Sequence, residues 1–262
     1  MASDNPHLER SESPLSSLTT GDDPPPLQII NPAGASSFLI VCDHAGNLVP
    51  QKLGMLGLTS ADLQRHIGWD LGAAELSEML SEALDATLIR QTYSRLVIDC
   101  NRDPSAPDAM AAVSDGTTVA GNQALSEEDR AARVRDIHEP YHSAIGERIA
   151  RSADPKIIVA IHSFTPTMNG VDRLWKVGVL YHLGNTDFAR NVLRELQELV
   201  PGPVGDNEPY AMDGIDYTVP RHAYPKDLPY VEIEVRQDIL STPEGCKRIS
   251  GLLQTVLQKC KP

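Results

Sequence analysis

The sequence lacks the features that mark membrane, secreted and cysteine-rich proteins. No apolar run approaches the length of a membrane span, and the polar, acidic N-terminus lacks the charged-then-apolar layout of a signal peptide. Cysteine is scarce, and none of the 4 cysteines forms a CxxC pair, which argues against a zinc knuckle or a redox motif. We therefore expect a cytoplasmic protein with no membrane partner and with reduced, mostly buried thiols.

Positive charge is also scarce. The formal net charge is -13 and the pI about 5.0, which argues against nucleic-acid binding, because such proteins usually present a basic surface. A local basic pocket could still hold an anionic substrate. The length of 262 residues and the hydrophobic content of 41% suit one large domain with a substantial core.

The order of apolar patterns predicts an α/β fold. Residues 1–26 show no periodicity, so we expect a disordered or loosely ordered tail before a domain that covers residues 27–262. Strand-like runs alternate with amphipathic helices, which predicts a mixed, mostly parallel sheet between helices. The predicted strands that matter most for function cover residues 38–42, 95–98, 156–164 and 230–235.

Polar residues follow these strands where ligands bind in open α/β sheets, just beyond the carboxyl ends. His44 and His162 end two of the strands, and neutral imidazole is the commonest metal ligand in proteins. Each histidine could equally be a hydrogen-bonded structural residue. Asn101 and Arg102 follow the strand at residues 95–98, and Arg102 could clamp a carboxylate or simply order a loop.

The last strand carries two acids on one face. Alternation places Glu232 and Glu234 on the same side, which is typical either of an edge strand with a solvated face or of a catalytic carboxylate. Glu234 lies nearer the carboxyl end, so it is the favoured general base for hydrolysis. Residues 104–123 and 201–229 are long loops that are expected to lie over the site.

Several short stretches together resemble the N-formylglutamate amidohydrolase family. They span about residues 38–240, and they are DHAG at 43–46, GWDLGA at 68–73, SRLVIDCNR at 94–102, IHSF at 161–164, NEPY at 207–210 and EIEVRQD at 232–238. That family is similar in turn to zinc carboxypeptidases, succinylglutamate desuccinylase and aspartoacylase. The resemblance implies a zinc-carboxypeptidase-like fold and a catalytic domain that occupies residues 27–262.

The resemblance also implies a Zn²⁺ site and a set of roles. His44 and His162 would bind zinc, but Asn47 stands where the relatives carry a glutamate ligand, so Asp70 is the expected substitute and Asn47 the alternative. Glu234 would be the general base. The residues expected to contact substrate are Arg102 with Asn101, and also Asn207 and Tyr210; the candidates for a second carboxylate or the oxyanion are Arg95, Arg173, His222 and Arg236.

The expected function is zinc-dependent hydrolysis of the amide of an acidic N-acyl amino acid, with N-formyl-L-glutamate as the leading substrate. The resemblance places such a reaction in histidine degradation. Two alternatives stay open: a zinc peptidase or amidase that acts on a larger peptide or cell-wall substrate, and a non-catalytic protein that binds acidic metabolites. The sequence leaves the oligomeric state open.

Overall fold

A seven-stranded mixed sheet forms the centre of the computed structural model, which describes residues 17–152, 156–212 and 214–262. The strands are β1 (Leu27–Ile30), β2 (Phe38–Cys42), β3 (Thr87–Gln91), β4 (Val113–Ser114), β5 (Thr117–Thr118), β6 (Ile157–Phe164), β7 (Thr167–Met168), β8 (Val171–Asp172), β9 (Val177–Leu180), β10 (Gly205–Asp206) and β11 (Tyr230–Arg236). The α-helices are α1 (Ser60–Leu63), α2 (Ala73–Leu84), α3 (Glu127–Arg133), α4 (Glu139–Ala150), α5 (Asp187–Leu199), α6 (Thr218–His222) and α7 (Pro243–Cys260).

The strand order confirms the predicted mixed, mostly parallel sheet flanked by helices. The order is β1-β3-β2-β6-β11-β9-β10, and β3, β2, β6 and β11 run parallel to one another. Helices α2 and α5 each pack against α7 and against the sheet, while α4 contacts β3 and α6. The strand predicted to be central, β6, has three strands on either side, and all of its residues are buried.

The last strand of the sequence is an interior strand, so the solvated-edge alternative for its two glutamates is wrong. β11 lies between β6 and β9, and Glu232 and Glu234 are both buried. β11 is parallel to β6 and antiparallel to β9. The carboxyl ends of β2, β6 and β11 therefore meet at one edge of the sheet.

The strand predicted at residues 95–98 is wrong. This apolar run is buried, but it forms turns in a second hydrophobic cluster beside the sheet. Its backbone hydrogen bonds go to turns and not to a neighbouring strand, since the Arg95 N–H donates to the Gly68 carbonyl and the Val97 N–H donates to the Ser94 carbonyl. The place beside β2 is taken by β3 instead.

Side-chain caps begin two of the helices, and a π-helical turn lies between α3 and α4. Ser126 and Thr242 cap α3 and α7, and each hydroxyl accepts a hydrogen bond from the backbone N–H three residues on. Residues Val134–His138 form a π-helical turn that joins α3 to α4 without a break, and Pro140 lies directly after this turn, near the start of α4.

The second cluster holds one of the long loops in place. The buried guanidinium of Arg133 donates to the Val97 carbonyl at 2.8 Å, to Asn122 Oδ1 at 2.6 Å and to the Gly121 carbonyl at 3.1 Å. These bonds tie the end of the loop at residues 104–123 to the turn at residues 95–98. The loop is therefore anchored at a fixed position beside the sheet edge.

Residues 1–16 of the expected tail lie outside the described residues. Residues 17–26 contain no helix or strand, yet Leu18 is buried and its backbone N–H donates to Asp136 Oδ2. The Tyr93 hydroxyl donates to the Pro24 carbonyl at 2.6 Å, so this segment lies against the domain. In the described part of the chain, no helix combines the length and the apolarity that crossing a membrane requires.

Candidate active site

Three buried donor atoms converge at the carboxyl edge of the sheet. His162 Nδ1 lies 3.0 Å from Asp70 Oδ2 and 3.2 Å from His44 Nδ1, and His44 Nδ1 lies 3.4 Å from Asp70 Oδ2. His44 follows β2 and His162 lies in β6, so the two neighbouring parallel strands bring the rings together. This group of two imidazoles and one carboxylate could hold a metal ion.

The backbone around Asp70 directs its carboxylate toward the histidines. The Asp70 N–H donates to the His44 carbonyl, and the Ser163 N–H donates to Asp70 Oδ2 at 3.2 Å. Helix α2 begins later, with Gly72 at its N-cap, so the Asp70 side chain does not cap it. The alternative ligand, Asn47, points elsewhere and donates its amide to the Leu63 carbonyl at 3.3 Å.

A close backbone approach fixes the turn that carries His44. A Cβ atom at Gly46 would lie 2.0 Å from the Thr92 carbonyl oxygen, which no side chain can tolerate. Glycine at this position therefore lets the chain after β2 pass against the segment that follows β3. The glycine in the DHAG stretch thus has a steric role, while the histidine offers a donor atom to the group at the sheet edge.

Each histidine faces a second carboxylate on its other nitrogen. His44 Nε2 forms a hydrogen bond of 2.7 Å with Asp99 Oδ1, and His162 Nε2 lies 3.3 Å from Asp43 Oδ2. Metal-binding histidines usually have such a partner, which fixes the ring orientation and increases the basicity of the ligating nitrogen. These roles of Asp43 and Asp99 were not predicted from the sequence. The available signal was their position, since Asp43 precedes His44 and Asp99 ends an apolar run.

Arg95 contacts both Asp70, which lies beside the two histidines, and Asp99, which lies behind His44. Its Nη2 lies 2.7 Å from Asp99 Oδ2 and its Nη1 lies 3.4 Å from Asp70 Oδ1. Burial opposes the charge of Asp99, but Arg95 and His44 outweigh it and hold the pKa of Asp99 well below its ordinary value. Burial likewise opposes the charge of Asp70, whose pKa is lowered by His44 and His162. Both carboxylates are therefore ionised at neutral pH.

The two glutamates of β11 lie beside these donors. In the register of β11 against β6, Glu234 is opposite His162, whereas Glu232 is opposite Ala160. Burial raises the pKa of Glu234 to about 7, against the opposing effect of His162. Burial also raises the pKa of Glu232 well above its usual value, again opposed by His162 and reinforced by Asp216. A carboxyl group with a pKa near neutrality can both accept and return a proton.

A cavity of about 560 Å³ opens over the donors, within the usual size range for small-molecule sites. Both loops that were expected over the site contribute to its walls. The charged and polar residues that line it include His44, His66, Asp70, Arg95, Asp99, Asn101, Arg102, Asp108, Asp115, His162, Tyr210, Asp216, Glu232 and Glu234. Nine of these were singled out from the sequence, and the structure brings them together: His44, Asp70, Arg95, Asn101, Arg102, His162, Tyr210, Glu232 and Glu234.

Arg102 and Asn101 lie at the cavity wall, but their side chains are engaged differently. Arg102 Nε donates to Asp108 Oδ2 at 3.0 Å. Asn101 Oδ1 accepts hydrogen bonds from the backbone N–H groups of Tyr217 and Thr218, and its amide nitrogen donates to Asp216. The amide oxygen of Asn101 therefore orders the start of α6, and one N–H of its amide group pairs with Asp216.

Tyr210 and Arg173 form a stacked pair. The Arg173 guanidinium carbon lies 4.7 Å from the centre of the Tyr210 ring, which itself lines the cavity. Arg173 Nη1 donates to Thr165 Oγ1 at 3.2 Å. Arg173 thus lies just behind the lining of the cavity.

Three further sequence candidates are not among the residues that line the cavity. Asn207 Oδ1 accepts the Tyr181 N–H at 3.0 Å and orders the loop that precedes Tyr210. His222 lies on α6, where its Nε2 is 3.1 Å from His142 Nδ1. The Arg236 guanidinium is paired with Asp238 at 2.8 Å. Polar residues that line a cavity and polar residues that order a loop both follow strands, so the sequence alone does not distinguish them.

Comparisons with known proteins identify a family and similar folds. The model of the N-formylglutamate amidohydrolase family matches residues 36–241. The crystal structure of gene product Atu2144 from Agrobacterium tumefaciens is similar at 36% identity and a TM-score of 0.89, covering 93% of this chain and 97% of that one. An N-formylglutamate amidohydrolase from Ralstonia eutropha JMP134 is similar at 20% identity and a TM-score of 0.62, covering 89% and 96%. No curated protein sequence matches the chain.

Proposed function

The chain belongs to the N-formylglutamate amidohydrolase family, and from this premise we propose that it hydrolyses N-formyl-L-glutamate to L-glutamate and formate. The observation that carries the proposal is the convergence of His44, Asp70 and His162 in the same cavity as the buried carboxyl group of Glu234. Such a site combines metal-ligand chemistry with a proton acceptor, and amide hydrolysis needs both.

The proposed cofactor is a zinc ion held by His44, Asp70 and His162. Two imidazole nitrogens and one carboxylate oxygen match the protein ligands of a common type of catalytic zinc site. Asp99 and Asp43, which face the other ring nitrogens, fit the outer-sphere partners that metal-binding histidines require. When bound, zinc supplies a Lewis acid that polarises the formyl carbonyl and acidifies water.

Glu234 is proposed to move the proton. It accepts a proton from the attacking water and passes it to the nitrogen of the departing amino acid, which leaves as L-glutamate. Its register opposite His162 and its pKa of about 7, raised by burial, support this role. Glu232 lies one pleat repeat further from the carboxyl end of β11, opposite Ala160, which favours a supporting role.

Arg102 is proposed to receive a carboxylate of the substrate. It lines the cavity, and a guanidinium can bind a carboxylate through two parallel hydrogen bonds. Arg95 is less suited to this role, because Asp99 and Asp70 already occupy its guanidinium. Arg173 has no acidic partner among the described residues and stacks on Tyr210, so it is the favoured candidate for a second carboxylate.

The size of the cavity supports a small substrate over a peptide or a cell-wall fragment. Its volume of about 560 Å³ is bounded by residues of both long loops, among them Asp108, Asp115 and Tyr210. Drug-sized molecules occupy sites of this size, whereas a peptide needs an extended groove. Metal content separates the proposed enzyme from a non-catalytic protein that binds acidic metabolites, since the enzyme needs a metal ion and binding alone requires none.

Metal analysis and product release test the proposal together. We expect purified protein to contain about one zinc ion per chain and to release formate from N-formyl-L-glutamate faster than acyl groups from other N-acyl amino acids. The His162→Ala variant should lose zinc and activity while remaining folded. Full turnover by a metal-free protein would contradict the zinc assignment, and preferential cleavage of peptides would favour the larger substrate class.

A further inference from the structure

Arg102 already faces a carboxylate of its own chain. Its Nε donates to Asp108 Oδ2 at 3.0 Å, and its Nη1 donates to the Asn101 carbonyl at 2.9 Å. Asp108 lines the same cavity as Arg102. A substrate carboxylate that binds the guanidinium through two parallel hydrogen bonds therefore competes with Asp108 for the Nε edge.

The backbone that carries Asp108 is held in place, while more than half of its side chain is exposed to solvent. Asp108 belongs to the short 3-10 turn Pro107–Met110, in which Ala109 and Met110 are buried. The Ala109 carbonyl accepts the Asp99 N–H at 2.7 Å, which ties the turn to the base of the site. The Asp108 side chain is 55% exposed, so rotation about its side-chain bonds can move the carboxylate into solvent.

A second acid near Arg102 behaves differently. Asp216 Oδ1 lies 3.7 Å from Arg102 Nη1 with only 10% of its side chain exposed, and it also accepts the amide of Asn101. Asp216 is thus fixed in the wall, whereas Asp108 is exposed. Because exposed ion pairs contribute little to stability, the Asp108 pair is the one that a ligand can replace.

We propose that Asp108 is a built-in competitor for the anionic group of the substrate. Its carboxylate holds the Arg102 guanidinium in position before binding and gives way when a substrate carboxylate arrives. This inference rests on the proposed role of Arg102 and identifies Asp108 as a specificity-determining residue. Ligands with a well-placed carboxylate displace Asp108, and neutral or poorly placed ligands leave the pair intact.

Calorimetric binding of glutarate to the zinc-loaded protein tests the inference without requiring turnover. Asp108→Asn should bind glutarate about two- to fivefold more tightly than the parent, because the competing ion pair is exposed and therefore weak. The gain should vanish when Arg102→Gln is added, since there is no guanidinium left to release. Glutaramide, which has the same length without charge, should bind the parent and Asp108→Asn equally.

The matched control is Asp115→Asn. This substitution removes one negative charge from the lining of the same cavity, but Asp115 pairs with Arg65 at 3.1 Å and with His66 at 3.4 Å. Its φ of 42° is a left-handed conformation that asparagine tolerates, so the backbone is not strained. We expect Asp115→Asn to change glutarate affinity much less than Asp108→Asn does.

Three results would overturn the inference. Equal gains in Asp108→Asn and Asp115→Asn would mean that cavity charge alone sets affinity. A gain that persists in the Arg102→Gln background would place the effect elsewhere. Absence of glutarate binding in all variants would mean that Arg102 is not a carboxylate site. The formate-release assay can fail while the binding pattern holds, so failure of the proposed reaction is distinguishable from failure of this inference.

Discussion

Replacing Glu234 by glutamine distinguishes a general base from a structural carboxyl group. Glutamine keeps the size and one acceptor oxygen of the side chain but cannot accept a proton. Glu234 is 6% exposed, and its Oε2 atom has no hydrogen-bond partner in the described part of the chain. The substitution therefore leaves the surrounding hydrogen bonds intact, and we expect a folded protein with its zinc content unchanged.

The expected loss follows from the position and the pKa of the carboxyl group. General-base assistance contributes about 10²–10⁴ in rate, so turnover should fall by at least about 10². Burial raises the pKa of Glu234 to about 7, and a bound zinc ion would lower it, so activity of the zinc-loaded parent should decline as the pH falls below about 7, where the protonated carboxyl group can no longer accept a proton. In Glu234→Gln the decline should be absent.

The assay is formate release at matched zinc occupancy across the neutral pH range, with Glu232→Gln as the control. Glu232 shares the strand face and the burial of Glu234 but is opposite Ala160, so its substitution should affect turnover much less. An inactive Glu232→Gln and an active Glu234→Gln would refute the assignment and identify Glu232 as the base. If both variants are active, neither glutamate of β11 is the base.

Three other predictions concern metal, substrate and acid stability. Asp70→Asn should lower zinc affinity by more than the roughly 10–100-fold typical of outer-sphere substitutions. Its circular dichroism spectrum should be unchanged, because Gly72 and not Asp70 is the N-cap of α2. Equal zinc affinity of variant and parent in competition with a chelator would exclude Asp70 as a ligand. Arg102→Lys should lower kcat/KM for acidic substrates by about tenfold or more, because a charge-assisted hydrogen bond contributes about 1.5–3 kcal/mol. It should leave kcat/KM for neutral N-formyl amino acids unchanged. Equal losses for both substrate classes would contradict a carboxylate clamp. Burial lowers the pKa of His222 from 6.5 to about 4, so between these pH values the unfolded chain binds a proton that the folded protein does not. The free energy of unfolding should therefore be unaffected by His222 above about pH 6.5 and should fall by about 3 kcal/mol as the pH falls toward 4. Urea unfolding at several pH values should therefore show a steeper acid loss in the parent than in His222→Gln, and parallel curves would contradict this.

The sequence predicts the sheet well where burial and strand structure coincide. The β-branched run of β6 and the alternation in β11 are confirmed, because only a strand in a covered sheet buries such residues along its whole length. Residues 95–98 have the same apolar character, but their burial comes from a cluster of loops. A short apolar run cannot separate these cases, since it reports burial and not the partner of the backbone hydrogen bonds.

The site was predictable where chain position alone determines it. Strand ends place His44 and His162 at one edge of a parallel sheet, so their proximity follows from the fold class. The resemblance pointed to Asp70, which no spacing argument selects, and the structure brings it to both rings. The assignments of these side chains as ligands stay predictions until metal is measured.

Partner choice among charged side chains could not be read from the sequence. Arg236 and Arg102 both follow strand-like runs, yet Arg236 pairs with Asp238 two residues away and Arg102 reaches the cavity. Asn101 is occupied by the start of α6, which comes more than a hundred residues later in the chain. These outcomes depend on loop paths that bring distant segments together, and no local pattern encodes them.

The balance of buried charge gives an independent argument for a divalent cation. Asp43, Asp70 and Asp99 surround the two histidines, and Arg95 is the guanidinium in contact with this group, so three negative charges face one positive charge. Buried charges are costly unless they are compensated. Without a cation, two positive charges would have to come from protonation of both imidazoles, and nearby carboxylates do raise the pKa of His44 and His162 against burial. However, the Nδ1 atoms of the two rings lie 3.2 Å apart, which is too close for both to carry a hydrogen. A divalent cation supplies the same two positive charges and leaves both rings neutral, as metal ligation requires. The carboxylates around the histidines thus favour metal binding through the net charge of the site as well as through the orientation of the rings.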